Sequence, residues 1–126
     1  MLGKAWTAQA AFPYPGWIYR LPITVTGYTG NTTLTNFPLL VTLGEHIPNF
    51  SYSDFQFPNG GDLPFADATE TTPLAFEIES WNTSGVSLIW VRVPELAGTN
   101  TQIFAYWGGP NTNMPTDSPW DSGYIG

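Results

Sequence analysis

The chain has 126 residues, with ten acidic side chains against three basic ones, a formal net charge of −7, and no cysteine. Three cations are too few for the basic patch that nucleic-acid binding requires, so a nucleic-acid partner is excluded. The lack of cysteine excludes disulfides, thiolate metal sites and a cysteine nucleophile, and the single histidine, His46, cannot build a multi-histidine metal site.

Length and composition indicate one all-β domain. Charged residues make up 10% of the sequence, against a usual figure of about 25%, while aromatic residues reach 16%. No window carries an apolar pattern with the period of a helix, so we expect very little helix. No apolar run is long enough to span a bilayer, so we expect no membrane insertion.

The two ends of the chain differ from its middle. Residues 1–13 predict a disordered N-terminus or the remnant of a secretory signal, because Ala-Gln-Ala resembles a cleavage site although the apolar core of a signal is missing. The β-sandwich module is expected over residues 14–110. Residues 111–126 are polar and rich in turn residues, which predicts a C-terminal extension or a linker to another domain of the same polypeptide.

Two strands are predicted early in the module. Within residues 17–28, Ile23 and Val25 fall on one face of the first strand. The second strand covers residues 34–43 and has an apolar face in phase, formed by Phe37, Leu39, Val41 and Leu43. Pro38 has no backbone donor, which predicts an edge position for this strand.

Residues 44–67 form a long connection that is rich in aromatic side chains. We expect a short strand over residues 63–66 within it. The aromatic residues Tyr52, Phe55 and Phe57 allow two interpretations: they line a ligand groove, or they plug the open end of the sandwich. Plugging is the more common arrangement for apolar side chains in a loop.

Residues 73–109 contain three runs with strand composition, separated by turn residues at 82–85 and 98–100. The simplest interpretation is an antiparallel meander. Alternation in the middle run predicts a core face formed by Ile89, Val91 and Val93. Trp90 and Arg92 lie on the opposite face of that run.

That opposite face is the predicted binding surface. In the preceding run, Glu77, Glu79 and Trp81 share one face, so antiparallel pairing would bring them beside Trp90 and Arg92. Sugars suit such a surface, because a pyranose ring stacks on an indole while charged groups bind its hydroxyls. Tyr106 joins the candidates, since Tyr106 and Trp107 must point to opposite faces. The alternative is that other parts of the chain cover this surface.

Catalysis and metal binding have weaker support in the sequence. Glu77 and Glu79 resemble a glycosidase pair in their spacing, but neighbours on one strand would lie on the same side of a bound sugar, so we expect no enzyme activity. Asp62 and Asp67, with Glu70, are weak candidates for a structural calcium ion. No other cofactor is expected.

Several segments together resemble a bacterial family known as domain of unknown function 2341. Their order and spacing carry the resemblance, and the segments are Trp17 to Arg20, Pro22 to Val25, Phe37 to Val41, Gly61 to Leu63, Phe65 to Asp67, Pro73 to Asn82, Ile89 to Pro94 and Tyr106 to Gly109.

This resemblance implies an extracellular β-sandwich module of secreted or cell-surface bacterial proteins, often beside lectin-like domains and glycan-active enzymes. The family tends to have an arginine where this chain has Pro64, so any role of that arginine is absent here.

The sequence therefore predicts an all-β antiparallel sandwich of jelly-roll type, with two sheets of seven to nine strands in total. As function we predict a non-catalytic, carbohydrate-binding accessory module of a secreted multidomain protein, with polysaccharide as its partner. The alternative is a structural or adhesive module that binds protein partners or spaces domains.

Overall fold

The computed structural model describes residues 6–7, 16–26, 28, 30–98, 100–112 and 119. The strands are β1 (Trp6–Thr7), β2 (Tyr19–Thr24), β3 (Leu34–Gly44), β4 (Phe65–Asp67), β5 (Phe76–Ser80), β6 (Val86–Leu96) and β7 (Gln102–Trp107). Single turns of 3-10 helix lie at Tyr52–Asp54 and Pro58–Gly60. The expectation of an all-β fold with very little helix is confirmed.

The strands form two antiparallel sheets, one in the order β1-β2-β7-β4 and the other in the order β3-β6-β5. The pairing is nested: β2 pairs with β7, β3 pairs with β6, and an isolated bridge between Ala66 and Pro73 joins the chain around the innermost turn. Nested pairs that alternate between two sheets are the winding of a jelly roll, which has eight strands in its full form; the described residues form seven. The predicted sandwich is confirmed.

The core lies between the sheets and draws on both of them. From the first sheet come Leu21, Phe65, Ile103, Ala105 and Trp107, and from the second Val41, Leu43, Phe76, Ile89, Val91 and Val93. The predicted core face of β6 is confirmed, since its three members are at most 1% exposed. β3 ends its sheet, so the edge position predicted from Pro38 is also confirmed.

The predicted meander is wrong, because β7 leaves the sheet of β5 and β6. It lies instead between β2 and β4 in the other sheet. β7 is apolar on both faces: Ile103 and Trp107 enter the main core, while Phe104 and Tyr106 join a second buried cluster on the outer side. A strand of this kind requires cover on both sides, and a central position supplies it. Local alternation does not show which sheet a strand enters.

Tyr52 and Phe55, two of the three aromatic side chains predicted to plug the sandwich, pack against the core at one end of it, and Phe50 joins them. The ring of Phe55 stacks on Trp107 at 5.8 Å and meets Trp81 edge-on at 5.1 Å. Phe50, which is 4% exposed, packs against Tyr52 and Trp107. The loop thus contacts Trp107 in β7 of one sheet and Trp81, which directly follows β5 of the other. Its predicted short strand exists, shifted to Phe65–Asp67.

A buried carboxylate holds this loop in place. Asp62 is fully buried, and its Oδ2 atom accepts hydrogen bonds from the backbone N–H groups of Gln56, Gly108 and Gly109 over 2.9 to 3.1 Å. Its Oδ1 atom accepts another from Phe57 over 3.2 Å. Four amide donors replace the water that the buried carboxylate loses. The group ties the loop to the residues that follow β7.

The backbone of Asp62 extends this anchor to the start of β2. The indole N–H of Trp17 donates to the carbonyl oxygen of Asp62 over 2.9 Å. Gly109 lies directly under that indole, and a Cβ atom built there would lie 2.0 Å from a ring carbon of Trp17. Only glycine fits this approach.

A second carboxylate, Asp67, organises the turn between β4 and β5. It accepts hydrogen bonds from the backbone N–H groups of Thr71 and Thr72 and from the hydroxyl of Thr69. Partial burial by itself would raise the pKa of Asp67, but these hydrogen bonds together outweigh it, so the pKa lies below the ordinary value for an aspartate.

The predicted terminal segments fall mainly outside the described residues. β1 lies within residues 1–13 and pairs with β2, and the rest of that segment is outside the described part. Of residues 111–126, only 111–112 and Pro119, which is buried, are described. No helix in the described ranges is long and apolar enough to cross a membrane.

Replacing Asp62 with asparagine should lower the free energy of unfolding by about 3 kcal/mol, because the charge is lost and an amide NH2 faces backbone donors that are left without an acceptor. Urea unfolding measures this. Asp54→Asn, on the same loop, is the control and should change stability by less than about 0.5 kcal/mol. Equal effects of the two substitutions would show that Asp62 is not the anchor.

The contribution of the charged Asp67 carboxylate to stability should be visible in the pH dependence of unfolding. Because the folded state lowers its pKa, the charged form adds stability above the unfolded pKa near 3.8, and this contribution disappears as the pH falls through the lower folded value. Urea unfolding at about pH 5 and about pH 3 should therefore show a smaller acid-induced loss for Asp67→Asn than for the native chain. An identical loss in both proteins would refute this role.

Candidate functional site

The candidate site is the outer face of the sheet β3-β6-β5, which we call the Trp90 face. Backbone register places Trp90 of β6 between Leu40 of β3 and Glu77 of β5. Glu79 lies on the same side, and its Oε1 atom accepts a hydrogen bond from the indole N–H of Trp90 over 2.8 Å. Arg92 occupies the next outward position along β6.

Exposure shows that the Trp90 face is open to solvent. Glu77 and Glu79 are exposed, Leu40 is 41% exposed, and Trp90 and Arg92 are half-buried. The core-facing residues of β6, in contrast, are almost fully buried. The alternation predicted for this strand is therefore present, with an aliphatic face inward and an aromatic and charged face outward.

Trp81 does not lie on this face, contrary to the prediction. The register between β5 and β6 shifts between Ile78 and Ser80, because one additional residue of β5 forms a bulge at Glu79. A bulge of one residue reverses the side to which the following side chains point. Trp81 consequently turns inward and meets Tyr52 edge-on at 5.4 Å.

Tyr106 is also absent from the Trp90 face, and its prediction as a sugar-binding residue is wrong. It belongs to the other sheet and is fully buried. Its hydroxyl donates to Glu70, whose second carboxylate oxygen pairs with Arg20 over 2.6 Å. Arg20 in turn lies over the ring of Phe104, 5.4 Å from its centroid. These contacts stabilise the outer side of β2 and β7.

Asp62 and Asp67, the weak candidates for a calcium site, accept hydrogen bonds from protein groups. Both oxygen atoms of the Asp62 carboxylate accept amide hydrogen bonds, and Asp67 binds three neighbouring threonine groups. Within the described part of the chain, no group of three or more histidine, cysteine, aspartate or glutamate side chains could hold a metal ion.

Leu40 is a member of the Trp90 face that the sequence interpretation missed. It is out of phase with the apolar face of its strand, since Leu39 and Val41 point inward while Leu40 faces solvent. The sequence did contain a signal for this position, because alternation along the strand predicts a polar residue there and the chain has leucine. Beside Trp90, it enlarges the apolar part of the surface.

These features define a class: an antiparallel β-sandwich module with jelly-roll winding that carries one open aromatic and acidic sheet face. Residues 59–119 match the model of the family described as Domain of unknown function (DUF2341). The family that the motifs resembled is thus confirmed for this segment. No curated protein and no solved structure matches the chain.

Because Trp81 is packed inward and Trp90 lies on the open face, replacing each with alanine should lower the free energy of unfolding by different amounts. Trp81→Ala removes a ring packed between Tyr52 and Phe55 and should destabilise by about 3 kcal/mol. Trp90→Ala removes a ring from the open face and should cost about 1 kcal/mol. Urea unfolding of both variants gives the comparison. Equal costs would contradict the inward rotation of Trp81.

Proposed function

We propose that this protein is a carbohydrate-binding module whose ligand stacks on Trp90. The observation that carries the proposal is the partly exposed indole of Trp90 on the outer surface of the sheet, with exposed carboxylates directly beside it. A flat aromatic ring binds the C–H face of a pyranose, and flanking carboxylates accept hydrogen bonds from its hydroxyls.

The ring of Trp90 is held before any ligand arrives. Its N–H group donates to Glu79, which fixes the plane of the indole relative to the sheet. A side chain that is already ordered loses less conformational entropy on binding, so more of the stacking energy contributes to affinity.

The charge of the face favours neutral glycans over acidic ones. Glu77 and Glu79 contribute two negative charges against one positive charge from Arg92, and the whole chain carries −7. A polymer of uronic acids would be repelled by this field, whereas a neutral polysaccharide would not. Neutral polysaccharide is therefore the ligand class of this proposal.

The module would act without catalysis. Glu77 and Glu79 project from one strand to the same side, so they cannot flank the scissile bond of a bound sugar as the two carboxylates of a glycosidase do. An accessory module in a secreted, extracellular multidomain protein is the setting that the family resemblance implies. The proposal adopts that setting.

The structural alternative finds less support at the sheet edge. β3 is a long edge strand and could pair with another chain. However, it contains Pro38, which lacks a backbone donor, and Asn36 with a left-handed φ of 51°. Interruptions of this kind protect an edge from pairing.

The decisive measurement is titration calorimetry, with pull-down for insoluble polymers, against a panel of neutral and acidic polysaccharides. The native chain should bind a neutral polymer, and Trp90→Ala should weaken binding by at least about tenfold because the stacking ring is lost. Trp81→Phe is the matched control and should bind as the native chain does.

Two results would refute the proposal: no binding to any polymer of the panel, or binding that Trp90→Ala leaves unchanged. Light scattering after size exclusion tests the alternative. Assembly that increases with concentration and disappears in Trp90→Ala would make the face a protein interface.

A further inference from the structure

A cleft lined by both polar and apolar atoms lies at the end of the same sheet, where two turns meet. It has a volume of about 270 Å³ and is lined by Glu45, His46, Tyr52, Thr83, Ser84 and Val86, among others. The turn after β3 supplies the carboxylate and the imidazole. The turn between β5 and β6 supplies the hydroxyls, and Val86, which is 42% exposed, supplies an apolar contact.

Val86 belongs both to the lining of this cleft and to the row of β6 side chains that carries Trp90. Trp90, Leu88 and Val86 are alternate residues of β6, so their side chains point to the same side of the sheet. The two ends of this row are four residue positions apart, which corresponds to about 14 Å along the strand. A ligand that is stacked on Trp90 and extended along β6 therefore reaches the cleft.

The walls of the cleft are held firmly by hydrogen bonds. The hydroxyl group of Tyr52 is within 2.9 to 3.1 Å of the carbonyl oxygens of Leu43 and Gly85 and of the hydroxyl of Ser87. In the facing turn, the backbone N–H of Ser84 donates to the side chain of Asn82 over 3.0 Å. A cleft with fixed walls binds its ligand with little reorganisation.

The size and chemistry of the cleft suit one sugar unit. Pockets for drug-sized ligands begin at about 300 Å³, so this cleft is too small for an oligosaccharide. Its lining combines acceptors, donors and one aliphatic side chain, as the alternating hydroxyls and C–H groups of a pyranose require.

We propose that the cleft is a second subsite for the same glycan, so that the protein binds a linear, extended chain along β6 from Trp90 to His46 and Ser84. This inference rests on the proposed function of the Trp90 face. It adds that the ligand is a chain of several sugar units, bound along its length, and that a single unit or a short fragment fills only part of the site.

The test is the dependence of affinity on ligand length. Titration calorimetry with cello-, xylo- and chito-oligosaccharides, from disaccharide to hexasaccharide, should show an increase of at least about tenfold with length for the binding series. The double variant His46→Ala, Ser84→Ala should lose about fivefold to tenfold in affinity for the hexasaccharide and nothing for the disaccharide.

A matched control exists at the opposite end of the sheet. Thr35 and Glu95 are register partners on β3 and β6, and both are exposed. The double variant Thr35→Ala, Glu95→Ala should bind every oligosaccharide as the native chain does. In amide NMR spectra of the native chain, the hexasaccharide should shift the signals of Ser84 and Val86, and the disaccharide should not.

The outcomes separate the two proposals. If the cleft variant binds the hexasaccharide like the native chain, or if affinity does not depend on length, the second subsite is refuted while a loss in Trp90→Ala still supports the first. If the native chain binds no oligosaccharide and no polysaccharide, both proposals fail. Disaccharide affinity in the cleft variant also verifies that this variant is folded.

Discussion

The carboxylate of Asp62 is the interaction on which the arrangement of the other parts depends. Its four amide donors come from the long loop and from the two glycines after β7, segments far apart in the chain. A charge can be buried only with such compensation, and the compensation in turn fixes the loop. With the loop fixed, Phe50 and Phe55 fill the end of the sandwich against Trp107. One buried charge thus couples loop conformation to core packing.

Much of the fold could be predicted from local patterns, because alternation reports directly which side of a strand is buried. The inward face of β6, the edge position of Pro38 and the plugging aromatics all follow from such patterns. Local patterns led to the wrong meander, because the strands that pair with β7 are decided by contacts across the whole chain. The role of Asp62 could not be predicted from the sequence either. Its carboxylate oxygens accept hydrogen bonds from backbone N–H groups, which every residue except proline has, so no particular residue type marks them.

The site was predictable in part for the same reason. Trp90, Glu77 and Arg92 follow the regular period of their strands and lie where alternation places them. Trp81 does not, because a single additional residue at Glu79 reverses the phase, and no glycine or proline marks that bulge in the sequence. Because of the bulge, Trp81 and Trp90 point to opposite sides of the sheet. One completes the core beside the loop, and the other remains at the surface, where a ligand can reach it.

The nesting of the strands has a mechanical consequence. β2 and β7 are antiparallel neighbours, so the residue that enters β2 and the residue that leaves β7 lie at the same end of the sheet, with Tyr19 opposite Trp107. Tension that pulls these two ends apart would open the strand pair like a zipper, breaking its hydrogen bonds one after another, instead of shearing them all together. The first bonds to carry the load would be those that Asp62 makes to Trp17 on one side and to Gly108 on the other.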